Sequence, residues 1–220
     1  LEALLHADPV DGFCGISHTR WATHGVPNTQ NAHPHLSGDQ LALVHNGIIE
    51  NHEELRLELQ QAGCRFSSDT DTEVMVHLVA RLMDSGLDLF AAVRSAVGRL
   101  RGAFAIAVVC AAEPGVVVGA RKGSPLVLGV GAGENFLASD VYPLLGETDR
   151  FVFLQEGDVV RLDADSIQVV DGNDQPVERP VKQVETKSDA VQRGDYPHYM
   201  LKEIFEQPQA VAETLEGRLS

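Results

Sequence analysis

Apolar residues fall at helical spacing in three windows of the first hundred positions, and then the period changes. Leu55, Leu59 and Ala62 make one stripe. Asn51 ahead of it is a good N-cap, Glu54 stands at the third helical position as in a capping box, and Gly63 is a stop signal, so a helix is predicted between them. Val74, Leu78 and Leu82, with Val79 beside them, predict a second helix, preceded by Thr70, Asp71 and Thr72 and ended by Gly86. Phe90, Val93, Val97 and Leu100 predict a third over residues 89–100.

Extended patterns surround these windows. Residues 15–20 and 41–45 read as short strands, and 64–67 as a further one. Beyond the third helix come short apolar runs at 103–110, 116–120, 126–130 and 136–139, separated by Pro-Gly, Gly-Ser-Pro and Gly-rich turns, as in a meandering, mainly antiparallel sheet. Runs at 151–154 and 159–162 continue it, with Glu156-Gly157-Asp158 as the turn, and 167–170 ends at the turn signal Asp171-Gly172. Residues 175–197 are polar and carry Pro176 and Pro180, which predicts a connector over the surface. Residues 199–215 regain helical spacing, with Pro208 expected to start or kink a helix. Strands flanking consecutive helices predict an α+β layered sandwich. A βαβ nucleotide-binding fold lacks its GxGxxG or Walker signature here.

Composition narrows the function classes. A chain of 220 residues, 44% hydrophobic, can bury a core as one large domain or two small ones. The formal net charge of −15, with no Lys/Arg cluster, argues against a nucleic-acid partner. No apolar run approaches the ~20 residues of a bilayer span, and no basic-then-apolar leader is present. The chain opens on Leu1, so it is expected to begin in mid-protein. Cys14, Cys64 and Cys110 are scattered and form no CxxC pair. They are expected to be reduced, mostly buried thiols of a cytoplasmic protein.

Three polar clusters carry candidate chemistry. His18-Thr19-Arg20-Trp21-Ala22-Thr23-His24-Gly25 gathers an Arg, the only Trp, two Thr and two His. An Arg at a strand end can hold a carboxylate through paired hydrogen bonds, and a Trp can roof a pocket; a solvated turn with one aromatic anchor would look the same. His45-Asn46-Gly47 follows an apolar strand, where Asn-Gly is by default a hairpin turn; a helix follows instead, and the amide and glycine N–H could form an oxyanion hole. Ser68-Asp69-Thr70-Asp71-Thr72-Glu73 either caps the helix behind it or places a carboxylate for an ammonium group. Together the three describe a site for a free α-amino acid whose side-chain carbonyl is attacked.

At these clusters the sequence resembles the glutaminase domain of the glutamine–fructose-6-phosphate aminotransferase (isomerizing) family. The resemblance runs in order through Asn31-Ala32-His33-Pro34-His35, Val44-His45-Asn46-Gly47-Ile48-Ile49-Glu50-Asn51, Thr70-Asp71-Thr72-Glu73, Leu100-Arg101-Gly102-Ala103, Gly123-Ser124-Pro125-Leu126, Glu134-Asn135-Phe136 and Ala138-Ser139-Asp140 to the segment 199–208. It implies an N-terminal-nucleophile hydrolase fold, a four-layer sandwich of two antiparallel sheets between helical layers. It implies that Arg20 holds the α-carboxylate of L-glutamine and Asp71 its α-ammonium. Asn46 and Gly47 form the oxyanion hole, Thr23 and His24 line the pocket, and Trp21 sits on the closing loop. No metal or cofactor is implied. The resemblance further implies that ammonia passes to fructose 6-phosphate in a sugar-isomerase half and that the full-length protein is a homodimer. On this reading residues 1–197 are an incomplete amidotransferase domain and 198–220 a hinge toward that half.

The family's nucleophile is an N-terminal cysteine whose own amine serves as base. Cys14-Gly15-Ile16 resembles its Cys-Gly-Ile opening, but lies three residues before His18-Thr19-Arg20, where the family has an internal strand. Cys14 is therefore expected to be a buried strand residue, with the true nucleophile missing and the 220 residues inactive alone. A non-catalytic amino-acid-binding regulatory module, or an amidotransferase with a different acceptor, are the alternatives.

Overall fold

The computed structural model describes residues 6–8, 12–20, 23–184 and 194–215. The chain forms two units, Leu1–Gln183 and Val184–Ser220. In the first unit the elements run β1 (His35–Ser37), β2 (Leu41–Ile49), α1 (His52–Gln61), α2 (Asp71–Asp84), α3 (Leu89–Val97), β3 (Gly102–Cys110), β4 (Val117–Lys122), β5 (Val127–Val130), β6 (Asn135–Ala138), β7 (Arg150–Phe153), β8 (Val159–Leu162), β9 (Ile167–Val170) and β10 (Val181–Gln183). The second unit contains α4 (Tyr199–Leu215).

The strands form two antiparallel sheets, ordered β1-β2-β3-β4-β8-β9 and β10-β7-β5-β6. Alternation along β3 shows how they stack. Phe104, Ile106 and Val108 face a core shared with Leu55 and Leu59 of α1, Val74 and Leu78 of α2, and Leu89 and Val93 of α3. Ala105, on the opposite face, joins Leu128, Val152, Val160 and Leu162 in a second core between the sheets. The expected α+β sandwich of two antiparallel sheets is present, with a helical layer on the larger sheet.

Several local expectations fail for identifiable reasons. The single meander is two sheets: β7 lies in the smaller and β8 in the larger, so Glu156-Gly157-Asp158 crosses between sheets. The expected strand at 15–20 has no ladder among the described residues. Residues 64–67 form no strand either, because the Ser67 and Ser68 N–H groups donate to Glu73. Asn51 does not cap α1 through its side chain; its amide bridges instead to Arg99 O and Arg101 N. The polar connector contains β10, which pairs with β7; residues 185–193 lie outside the described ones. Pro208 falls within α4 and does not start it.

Candidate functional site

Strand β2 runs four residues further than its apolar pattern suggests. Its pairing with β3 continues through Asn46↔Ala105 and Gly47↔Phe104 to Ile49↔Gly102, so Asn-Gly is part of the strand and not a turn. Gly47 makes this possible. Its φ is 129°, and a Cβ there would lie 2.0 Å from Ala103 O. The glycine is thus required by the neighbouring strand, whatever the pocket holds. The pleat sends His45 and Asn46 to opposite faces.

Asp71 opens α2. Thr70 is the N-cap, its side chain accepting from Glu73 N, so capping does not account for the Asp71 carboxylate. Asp71 is buried, and its Oδ2 accepts the Ile49 N–H at 2.8 Å, which ties the helix start to the end of β2. The turn ahead of the helix is held from two sides. The Glu73 carboxylate accepts from the backbone N–H and hydroxyl of both Ser67 and Ser68. Arg56 donates to Ser68 O and Thr70 O from below. Burial works to raise the Glu73 pKa, but His77, its Nε2 3.6 Å away, and the bonds from Ser68 and Ser67 outweigh it and hold the carboxyl well below the ordinary range.

Arg20 comes from the other side. It lies at φ 52°, and its guanidinium donates to His24 O at 2.9 Å, Gly25 O at 3.2 Å and Val26 O at 3.4 Å, folding its own loop around it. Buried Asn31 stitches this loop to the Asp71 turn: its amide donates to Val26 O and accepts from Asp69 N. The result is one cavity of about 250 Å3 lined by Arg20, Thr23, His24, His33, His45, Asn46, Gly47, Ile48, Thr70, Asp71 and Thr72. Arg20, Thr23, His24, Asn46, Gly47 and Asp71, singled out from the sequence in three separate stretches, are brought together there. Trp21 lies outside the described residues.

Two histidines of the wall, His33 and His45, were not assigned roles from the sequence. Their only signal is their number: seven of the nine in the chain fall between positions 18 and 77. Their protons can be placed by following bonds from backbone donors, which can only donate. His45 N–H donates to His33 Nδ1 at 3.4 Å, so the His33 proton sits on Nε2 and is given to Thr72 Oγ1 at 3.2 Å. The Thr72 hydroxyl then donates to His45 Nδ1 at 3.0 Å, leaving the His45 proton on Nε2. That buried Nε2–H has no partner among the described residues and belongs to a pocket residue. Burial, then neighbouring His18, His35 and His45, push His33 down to about 3, and burial pushes His45 down to about 4. Both rings are neutral near pH 7. His24 Nδ1 is 3.9 Å from Asp71 Oδ2.

None of the three cysteines lines this cavity. Cys14 is exposed and outside any strand, against the expectation of a buried strand residue, because the segment before His18 finds no ladder partner. It lines a different, larger cleft, whose walls desolvate the thiol enough to push its pKa above the ordinary value.

The family model of the glutamine amidotransferase domain matches residues 18–146, more than half of the chain. Among curated proteins, the chain is 54% identical over 219 residues to a glutamine–fructose-6-phosphate aminotransferase [isomerizing] of Pseudomonas syringae pv. tomato, covering 100% of this chain and 36% of that protein. It is 56% identical over 221 residues to the protein of that name from Bordetella pertussis, covering 98% and 36%. The chain thus spans about a third of the length of these relatives. A solved structure of a glutamine phosphoribosylpyrophosphate amidotransferase from B. subtilis superposes with a TM-score of 0.58 at 24% identity, over 70% of this chain and 34% of that one. That likeness shows the fold, the sandwich of the N-terminal-nucleophile amidotransferases.

Proposed function

The chain belongs to the glutamine amidotransferase domain family, and from that premise we propose that its cavity holds free L-glutamine and presents the side-chain amide for attack. The observation that carries this reading is the meeting of Arg20, Asn46, Gly47 and Asp71 around one cavity. At about 250 Å3 it lies below the ~300–1,000 Å3 of drug-sized sites and suits a small ligand. Arg20 has five N–H donors and spends only some on its loop, so others remain for an α-carboxylate. Asp71 uses Oδ2 on Ile49, which leaves Oδ1 to accept from an α-ammonium. The Asn46 amide and Gly47 N–H stabilise the oxyanion that forms when a thiolate adds to the amide carbon. Collapse of that intermediate breaks the C–N bond, the nitrogen takes a proton and leaves as ammonia, and water then releases glutamate from the acyl-sulfur bond. The attacking thiol is none of Cys14, Cys64 or Cys110; the family resemblance assigns it to an N-terminal cysteine.

The names of the relatives support fructose 6-phosphate as the acceptor of the ammonia in the intact protein, with α4 as the lead toward the part that binds it. Ammonia release from glutamine by the intact protein tests the site. Arg20→Ala and Asp71→Ala are expected to raise KM with kcat much less changed, since both contact groups that do not react. Asn46→Ala is expected to lower kcat by ~10²–10³. Cys14→Ala should leave both constants unchanged. If removing either charge left KM untouched, glutamine would not lie between Arg20 and Asp71.

A further inference from the structure

We propose, on the reading that this cavity hydrolyses glutamine, that His18 is a positioning residue which clamps the Asn46 side-chain amide with its NH2 group left to face the oxyanion. The backbone N–H of Arg20 donates to His18 Nδ1 at 2.8 Å. A backbone N–H cannot accept, so Nδ1 carries no proton and the proton of the neutral ring sits on Nε2. Nε2 lies 2.7 Å from the Asn46 side chain. An N–H donor at that distance requires an acceptor, so the atom it meets is Oδ1 and not Nδ2. The two-fold choice open to any asparagine amide is thereby settled by a bond that starts in the backbone of Arg20.

Asn46 needs such a clamp. Its side chain leaves the larger sheet on the face away from the helices, where the residue is exposed. An oxyanion donor is effective only if it is oriented before charge develops. The His18 ring is itself braced, its centroid 4.3 Å from that of His33. One imidazole therefore fixes the spacing between the backbone of the proposed carboxylate-binding residue and the oxyanion donor. His18 does not line the cavity holding Arg20 and Asp71, which separates it from the residues that touch substrate.

Two substitutions in the intact protein divide the bonds of His18. His18→Asn keeps an acceptor near the Nδ1 position but cannot reach Asn46; His18→Gln extends an amide nitrogen toward the Nε2 position. His18→Asn should lower kcat ~10-fold or more, short of the ~10²–10³ for deleting the donor itself, with KM within about two-fold. His18→Gln should restore most of the loss. In the Asn46→Ala background, His18→Asn should have no further effect on kcat. Equal losses in both backgrounds, or a change confined to KM, would overturn the clamp. So would 15N-histidine spectra of the intact protein showing His18 protonated on Nδ1, a readout independent of turnover. A protein that releases no ammonia from glutamine overturns both readings, whereas one that does so with His18→Asn kinetically silent overturns the clamp alone.

Discussion

At the scale of single residues, the sharpest constraint in the site is steric. Gly47 carries φ 129° and faces Ala103 O at 2.0 Å from where a Cβ would stand, and Gly102 of β3, opposite Ile49, carries φ 117° with Ile48 O at 2.2 Å. The two glycines let β2 and β3 approach at the point where the strand carries Asn46. Gly63 at φ 92° meets nothing within 4 Å and serves as a comparison. Gly63→Ala incurs only the left-handed penalty, ~1–2 kcal/mol. Gly47→Ala must also move a backbone carbonyl, so its loss of stability is expected to exceed that of Gly63→Ala clearly and to pull Asn46 out of place. Urea unfolding of both variants checks this; equal losses would show that the strands give way freely. Gly47 was legible in the sequence as an important glycine, but for a different reason. Asn-Gly signals a turn from local preference alone, whereas the need here comes from a strand more than fifty residues later. The bonds of Asn51 to Arg99 and Arg101 were hidden in the same way, behind a cap that its sequence position suggested.

At the scale of elements, the start of α2 explains how a buried carboxylate can be held in one orientation. Thr70 caps the helix, Glu73 gathers four bonds from Ser67 and Ser68, and Arg56 holds the carbonyls of the turn, so Asp71 is left to the pocket. Glu73→Gln keeps the shape but replaces one accepting oxygen with a donor that faces N–H and O–H groups. A buried mismatch of this kind costs ~1–3 kcal/mol. The variant is expected to lose that much in denaturant unfolding and, in the intact protein, to raise the KM for glutamine through the displaced turn without a matching fall in kcat. An unchanged unfolding midpoint would mean that the turn is held by Arg56 and Asn31 alone. The helices were the most legible part of the chain, since their apolar stripes survive in the structure almost residue for residue. The choice between capping and substrate binding for Asp71 was not legible. Both use an acidic residue at a helix start, and only the observed Thr70 cap takes Asp71 out of the capping role.

At the scale of the whole molecule, the sequence marked most of the strands but not their allotment to two sheets, because short apolar runs buried on both faces carry no record of which sheet they join. At the crossing from β7 to β8 lies a buried ion pair: Asp158, wholly inaccessible, takes two bonds from Arg179. The same burial sets the response of the fold to acid. His33 and His45 accept a proton near 6.5 when unfolded but only near about 3 and about 4 when folded, so the unfolded chain binds more protons below pH 6.5 and stability falls as pH drops from there. Glu73, with its pKa depressed, adds a second loss as pH falls through the ordinary carboxylate range, because the unfolded carboxyl then takes a proton that the folded one refuses. The formal net charge of −15 pulls the other way, since acid relieves surface repulsion. At 0.15 M salt those surface terms are screened over ~8 Å, and exposed pairs are worth ~0–1 kcal/mol each, against ~1.4 kcal/mol for each pKa unit of the buried His45 ring and less for the half-buried His33, where solvent screens the shift. The internal groups should therefore win, and the urea midpoint should fall steadily from pH 7 to pH 5, before bulk carboxylate protonation begins. His33→Gln, which cannot take up a proton, should flatten that first part of the decline and leave the steeper part below pH 4.5. A midpoint level from pH 7 to pH 5 in the unaltered chain would show that the histidine wall is wetter, and the cavity more open to solvent, than its hydrogen bonds imply.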